Sequence, residues 1–420
     1  MRGRTSALTY GAFVEAVERR AEDLGRAPSV VPLEGSDPVG FIVDFFAARS
    51  LGLSAIAHPA SAPAALREIR KNAAENAAWP PGGATLFFSS GSVGASKAVP
   101  LSDENLAAAA LAFEPWGEVT SGDRLAVGLS PAQIFAFVRG ALNALLLGAE
   151  AFFFTPRRDP LEEAAALGAT AVLLPSALVS IAARGTSRVA LRALRCGGGM
   201  LPEAWADAVE TVRGVPVRSG YGMTESAGLG ARQRGDWPRR AGSCGQIAPG
   251  IEISIVGADE ADRPPGQAGE IRMRGPAVFS GYLSAEDSSP FDARGRLRTG
   301  DVGNLDDAGE LHVRGRLSFA LAAGDRVVCA EEVEAAIAEH PGVAGAAAAP
   351  FERTFGVLVV VHGDSEALLE AVRAHAENRL PGFARPRRIL RVDELPLTPA
   401  GKIDRAAVSL WLNENRTRAS

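Results

Sequence analysis

From its first helical pattern, YGAFVEAVERRAEDLG, to about Val217, this chain alternates amphipathic helical segments with short apolar runs such as AEAFFF and ATAVLLP. Helices that alternate with buried runs form parallel sheet, which restricts this part of the chain to an α/β layout. From about Gly242 to Gly315 the texture changes. IEISIVG, GEIRMRG and GELHVRG are short alternating segments between Gly, Pro and Asp turns, the pattern of antiparallel strands. Beyond Arg316 come a helical AEEVEAAIAEH, an apolar VLVVVHG, a helical SEALLEAVRAHAENRL and a Pro- and Arg-rich tail. At 420 residues the chain exceeds what one core usually serves. The expected fold is a large N-terminal domain, residues 1–316, of α/β subdomains with parallel sheets plus a small antiparallel β-barrel-like region. A small α+β domain, residues 317–420, follows it.

Composition narrows the function classes. The 44 Lys and Arg against 49 Asp and Glu give a net charge of -5, which argues against general adhesion to nucleic acid or anionic membrane. An anionic ligand must therefore be held locally. The most apolar stretch, Ile134 to Phe154, is broken by Arg139 and Glu150, so it reads as a buried helix and strand and not as a membrane span. No apolar h-region follows MRGRTSALTY, so no secretory leader is expected. Cys196, Cys244 and Cys329 are far apart among small or apolar neighbours and read as reduced thiols of a cytoplasmic protein. The histidines share no metal spacing with them, and no structural zinc is expected.

One short stretch carries the clearest chemistry. In LFFSSGSVGASKAVPLS an apolar strand runs into Ser89, Ser90, Gly91, Ser92, Val93, Gly94, Ala95, Ser96 and Lys97. Glycines admit close backbone N–H groups, hydroxyls donate hydrogen bonds and a lysine supplies positive charge, which together suit a polyphosphate. A Walker A loop requires Gly before the lysine and a hydroxyl after it; here those positions are Ser96 and Ala98. In isolation the segment reads equally as a flexible surface loop with an incidental lysine.

Its company decides between these. Downstream, in order, stand RCGGGMLPE, RSGYGMTESAG, LRTGDVGNLDDAGELHVRGR and LPLTPAGKIDR. In this order and spacing they resemble the motifs of the adenylate-forming superfamily, which comprises acyl- and aryl-CoA synthetases, peptide-synthetase adenylation domains and luciferase. The resemblance spans nearly the whole chain.

It implies that a carboxylic acid attacks the α-phosphate of ATP, releasing pyrophosphate and leaving an acyl-adenylate for a second nucleophile. Ser89, Ser90, Gly91, Ser92, Gly94 and Lys97 are then expected at the β- and γ-phosphates. Tyr221 is expected against adenine, Thr224 at the α-phosphate and Glu225 on Mg²⁺, one carboxylate joining substrate oxygens around a hard cation. Asp301 is expected to accept both ribose hydroxyls, with Arg316 beside it and Gly198 and Gly199 along the nucleotide. Lys402, a flexible point charge, is expected to reach the acid and the α-phosphate from a mobile C-terminal domain hinged at Ser318. Gln133, Phe135, Phe137, Gly197, Gly222 and Met223 are expected around the acid. Cys196 reads as a packing residue, since nothing near it in sequence lowers its pKa.

The family pattern also fails in places. Val93 stands where a hydroxyl is usual, a loss of about 1 kcal/mol in one phosphate hydrogen bond. Ser96 and Ala98 replace Pro and Gly, and Ser318 with Phe319 replaces the polar hinge. Either Gly324 or Asp325 occupies the glycine position beside the pantetheine tunnel. SPAQIFAFVRGALN has no carboxylate to pair a substrate ammonium, which disfavours α-amino acids. Phe135 and Phe137 suit an aryl or unsaturated acid, or are core packing.

The resemblance thus implies an ATP- and Mg²⁺-dependent acid ligase that forms a thioester with CoA or the phosphopantetheine of an acyl carrier protein. The alternatives are delivery of the acyl group to an amine or other non-thiol nucleophile, and a non-catalytic relative that only binds adenylate.

Overall fold

The computed structural model describes residues 8–25, 30–59, 64–75, 79–80, 82–89, 97–112, 119–235, 238–283, 289–323, 326–363, 366–397 and 403–414. The chain divides by packing into two compact units. One holds the elements up to Ile253 together with Met273–Leu297, and the other holds Ser254–Arg272 with Arg298–Ser420. The boundary expected between 316 and 317 is one of sequence texture, which packing density does not address.

The first unit contains two sheets. β1 (Val30–Glu34), β2 (Ser54–His58) and β3 (Thr85–Phe88) run parallel, and β4 (Ala98–Leu101) returns antiparallel to β3. The crossover from β1 to β2 is the helix Pro38–Ser50. Asp37 caps it by accepting from the Gly40 N–H, and Pro38 sits in the first turn, where its missing N–H costs nothing. Every residue of β2 is buried, as a strand covered on both faces requires.

The second sheet contains β5 (Arg124–Val127), β6 (Glu150–Phe153), β7 (Ala171–Pro175), β8 (Ala193–Gly197), β9 (Val217–Tyr221), β10 (Ala231–Arg232) and β11 (Gln246–Ile247). Their spatial order is β11-β10-β9-β8-β7-β5-β6. The run from β9 to β6 is parallel, while β10 and β11 are antiparallel additions. Its core stacks Val172, Leu174, Leu194, Cys196 and Val217 against Val209 of the crossover before β9. Between β5 and β6 the helical segment Ile134–Leu146 passes through a π-helical stretch at Phe137–Leu142. Among the described residues no helix is long and apolar enough to cross a membrane.

The second unit is built on β12 (Glu252–Val256), β13 (Gly269–Arg274), β14 (Leu297–Leu305) and β15 (Leu311–Arg316), adjacent in that order. The barrel-like region expected here is an open four-stranded sheet: β12 and β15 are its edges, and no closing pair joins them among the described residues. β16 (Ala320–Ala323) and β17 (Arg326–Cys329) form an antiparallel pair. β18 (Val343–Phe351), β19 (Thr354–Val361) and β20 (Arg388–Arg391) form a third sheet, packed with the helices Ala330–Ala338, Glu366–Arg379 and Arg405–Glu414.

Arg405 opens the last helix and is buried. Its guanidinium donates to both oxygens of Glu334 and to the Ala348 carbonyl at 3.0 Å, and it pairs with Glu331 at 2.7 Å. Burial pushes the Glu334 carboxyl above its ordinary range, and the Arg405 hydrogen bonds oppose that. Removing the guanidinium strands buried carboxylates, so Arg405→Ala should cost about 3–5 kcal/mol, read from the denaturant midpoint. The stranded groups bind protons more readily in the folded chain than unfolded, so the deficit should shrink as the pH is lowered. A pH-independent deficit would show that lost packing, and not charge, is responsible.

Candidate active site

Strands β3 and β4 pair Phe88 with Ala98, and the Ser89 N–H donates to the Lys97 carbonyl at 3.0 Å. These contacts close the neck of the Ser/Gly loop. Ser90, Gly91, Ser92, Val93, Gly94 and Ser96 lie outside the described residues. Lys97 is exposed, and its ammonium sits 4.3 Å from the centroid of the Tyr282 ring.

The Tyr282 hydroxyl donates to Glu225 Oε1 at 3.0 Å. Glu225 lies in a 3₁₀ turn, Thr224–Ser226, directly after β9 and Tyr221. The turn is held by its own backbone: Met223 O accepts from the N–H groups of Ser226 and Gly228, and Met223 N donates to Ser226 Oγ. Ala227 at φ 51 and Gly228 at φ 77 reverse the chain, bringing the Gly228 carbonyl against Gly222. A Cβ at Gly222 would lie 2.4 Å from that oxygen, so only glycine fits. Glu225 is 4% exposed, a buried carboxylate with one oxygen held by a phenol. Such a group suits a hard divalent cation that arrives with phosphate oxygens of its own.

At the adjacent strand end, Gly197 closes β8 and Gly198 follows at φ 80. Ser176 Oγ lies 3.2 and 2.8 Å from the carbonyl oxygens of Gly197 and Gly199, and its one proton, given to the nearer or shared, ties down the glycine run. The half-buried Phe135 ring lies against Gly197, where a Cβ would meet it at 3.2 Å. Gln133 is exposed at the start of the same segment. Phe137 differs from its expected place beside the acid: it is fully buried, with ring centroids of Phe41, Phe45 and Phe87 at 5.5, 4.8 and 5.6 Å. Residues two apart on a helix point to different sides, so one phenylalanine meets the strand ends and the other the core. Cys196 is buried and its thiol is pushed up to about 12 by burial, which suits packing and not nucleophilic attack.

In the second unit, β14 and β15 place Asp301 opposite Arg316, with Arg316 Nε 3.1 Å from Asp301 Oδ1. The Asp301 N–H donates to Thr299 Oγ1, and Arg316 Nη1 donates to the Thr299 carbonyl. The two side chains are thereby fixed on one face of the sheet, a carboxylate and a guanidinium side by side. Ser318 is exposed in the 3₁₀ turn Leu317–Phe319 that follows. Lys402, Gly324 and Asp325 lie outside the described residues. Tyr282 and Ser176 were missed from sequence. SGYLS and LPSAL carry no signal that ties them to Glu225 or to the glycine run.

Comparison with known proteins places the chain in a family. Residues 11–283 match the family model described as AMP-binding enzyme, and residues 332–402 match that of the AMP-binding enzyme C-terminal domain. An indoleacetate–CoA ligase of Aromatoleum aromaticum is 31% identical over 76% of this chain and 65% of its own length. A salicyl-AMP ligase / salicyl-S-ArCP synthetase of Mycobacterium tuberculosis is 29% identical over 77% of this chain and 60% of its own. The chain thus spans less than two thirds of the length of these curated relatives. In fold it is similar to ATP-bound MatB from Rhodopseudomonas palustris, with a TM-score of 0.85, 21% identity and coverage of 97% and 94% of the two chains.

The close approach at Gly222 gives a direct test of the Glu225 turn. Gly222→Ala should lower stability by about 1–3 kcal/mol, because its Cβ meets backbone that cannot swing aside. Gly235→Ala, with nothing within 4 Å of the added carbon, should stay within about 0.5 kcal/mol of the parent in the same denaturant titration. Equal effects at the two glycines would show that the turn is not braced as described.

Proposed function

This chain belongs to the AMP-binding enzyme family, and from that premise we propose that it is an ATP-dependent carboxylic acid ligase acting on an aryl or other unsaturated acid. The observation that carries this reading is the convergence of Lys97, at the neck of the Ser/Gly loop, and the Glu225 carboxylate on one side chain, Tyr282. A cation for phosphate oxygens and a carboxylate for a divalent metal are what Mg·ATP needs from a protein.

In the proposed reaction a carboxylate oxygen of the acid bonds to the α-phosphorus of ATP, the bond to the β-phosphate breaks, and pyrophosphate leaves with its electron pair. Ser89 and Lys97, with Ser90, Gly91, Ser92 and Gly94, bind the departing phosphates. Thr224 donates to the α-phosphate. Glu225 would hold Mg²⁺, which when bound neutralises charge on the phosphates. Tyr221 with Gly198 and Gly199 receives adenine. Asp301 accepts from ribose while Arg316 holds the Asp301 carboxylate in place. Lys402, on a C-terminal part that swings about Ser318, balances the charge that builds on the reacting oxygens. Phe135 against Gly197 gives the acid an aromatic wall, with Gln133, Gly222 and Met223 around it; the aryl acids named for two relatives support this class. The thiol of CoA or of a carrier phosphopantetheine then bonds to the acyl carbon and AMP leaves. The buried, free Cys196 and Cys329 suit a reducing, cytoplasmic setting.

A second reading, transfer of the acyl group to an amine, is favoured by the turn at 317–319. There Ser318 lacks the usual charge and the Arg405 guanidinium lies 5.4 Å from the Phe319 ring centroid.

ATP–pyrophosphate exchange tests both readings. Exchange is expected with at least one aryl acid, and Lys402→Ala should reduce it by about 100-fold or more. Products are then assayed with CoA, holo-carrier protein and amines. Exchange that never yields a thioester supports the second reading, and no exchange with any aryl or aliphatic acid leaves a binding-only relative.

A further inference from the structure

Resting on that reading, we infer that Tyr282 is a positioning residue that sets Glu225 for its metal and Lys97 for the phosphates. The segment Pro276–Leu283 is stitched to both neighbours within the first unit. At one end Asn105, the residue that completes the cap of the helix after β4, donates through Nδ2 to the carbonyls of Pro276 and Val278 at 2.7 and 3.1 Å. In the middle the Phe279 N–H donates to the Glu225 carbonyl at 2.9 Å. At the other end the Leu283 N–H reaches the Ala98 carbonyl, next to Lys97, at 3.4 Å. The segment therefore ties the neck of the loop to the Glu225 turn through backbone alone.

Tyr282 adds the side-chain link. Its ring meets the buried Phe279 ring edge-on, with centroids 5.0 Å apart and planes at 72°, and Phe279 in turn packs on Phe291. This sets the direction of the phenol. Its one O–H proton goes to Glu225 Oε1. A hydrogen bond to one oxygen of a carboxylate restricts its rotation and presents the other oxygen to a cation; ligating carboxylates are commonly held this way. The face of the same ring carries the Lys97 ammonium. An exposed lysine otherwise samples many rotamers, and the ring's negative face narrows them beside the loop.

Two substitutions separate the contributions. Tyr282→Phe keeps the ring under Lys97 and loses the donor to Glu225; Tyr282→Leu loses both. The readout is calorimetric binding of an ATP analogue with a methylene bridge between α- and β-phosphates, titrated over a range of Mg²⁺ concentrations, with pyrophosphate exchange measured in parallel. For Tyr282→Phe the Mg²⁺ concentration at half-maximal nucleotide binding should rise about 10-fold or more, with the KM for the acid unchanged. Tyr282→Leu should in addition weaken the analogue about 2- to 5-fold at saturating Mg²⁺. An unchanged Mg²⁺ requirement in Tyr282→Phe overturns the positioning role while leaving the ligase reading intact. A parent protein that binds no nucleotide at any Mg²⁺ concentration overturns both. Should Tyr282→Leu fail to fold, the phenylalanine variant alone decides.

Discussion

The Phe137 ring is the contact on which the first unit depends. It is fully buried and meets Phe41 and Phe45, from the crossover after β1, and Phe87 in β3. Burying one such ring contributes about 1.5–3 kcal/mol, and each aromatic pair somewhat more. The larger consequence is positional. Phe137 belongs to the segment between β5 and β6, so this cluster locks one parallel sheet to the other. β3 leads into the Ser/Gly loop, and two residues before Phe137 the Phe135 ring lies on Gly197 at the end of β8. A core contact with no chemistry of its own thus fixes the end of β3 relative to the Phe135 ring at the end of β8.

With a net charge of -5 the protein has no general field that would attract a nucleotide, so each cation must be placed. Lys97 lies over the Tyr282 ring, and Arg316 lies against Asp301. In both places charge is held by a specific neighbour, an aromatic face for the ammonium and a guanidinium for the carboxylate.

The sequence motifs located the strand ends and turns well, because glycines at strand ends are demanded by backbone geometry that leaves a local signature. Gly198, at φ 80, and Gly222, pressed on the Gly228 carbonyl, are of this kind. The alternation of helices with apolar runs likewise announced the parallel sheets. Three features were not announced. β14 contains Arg298, Thr299, Gly300, Asp301 and Gly303, so its apolar pattern is weak and it is held by its neighbours in the sheet. β18 is largely alanine, a poor strand former, and is buried between helices that supply the packing. The expected barrel required closure that alternating segments cannot distinguish from an open sheet. Phe135 and Phe137 carried the same sequence signal and have opposite fates, since the local pattern does not say which side of a helix meets the core. Tyr282 is the hardest kind of residue to find. Its role comes from contacts to positions 97 and 225, far away in sequence, and nothing local encodes them.

In the second unit, charge reaches the turn at the proposed hinge from outside it. Arg316 carries one candidate ribose-side group, Asp301, and is followed at once by the turn Leu317–Phe319. The usual charge at position 318 is absent, yet charge acts on the turn from elsewhere. Glu331 accepts from the Arg316 N–H at 3.4 Å and pairs with Arg405, and a Cβ at Gly315 would strike the same carboxylate. Arg405 also reaches over the Phe319 ring. The Glu331–Arg405 pair therefore brackets the turn before and after Ser318. Glu331 and Arg405 both lie beyond Ser318, so rotation proposed there would carry their pair along intact, and the contact it would give up is the 3.4 Å one from the Arg316 N–H to Glu331.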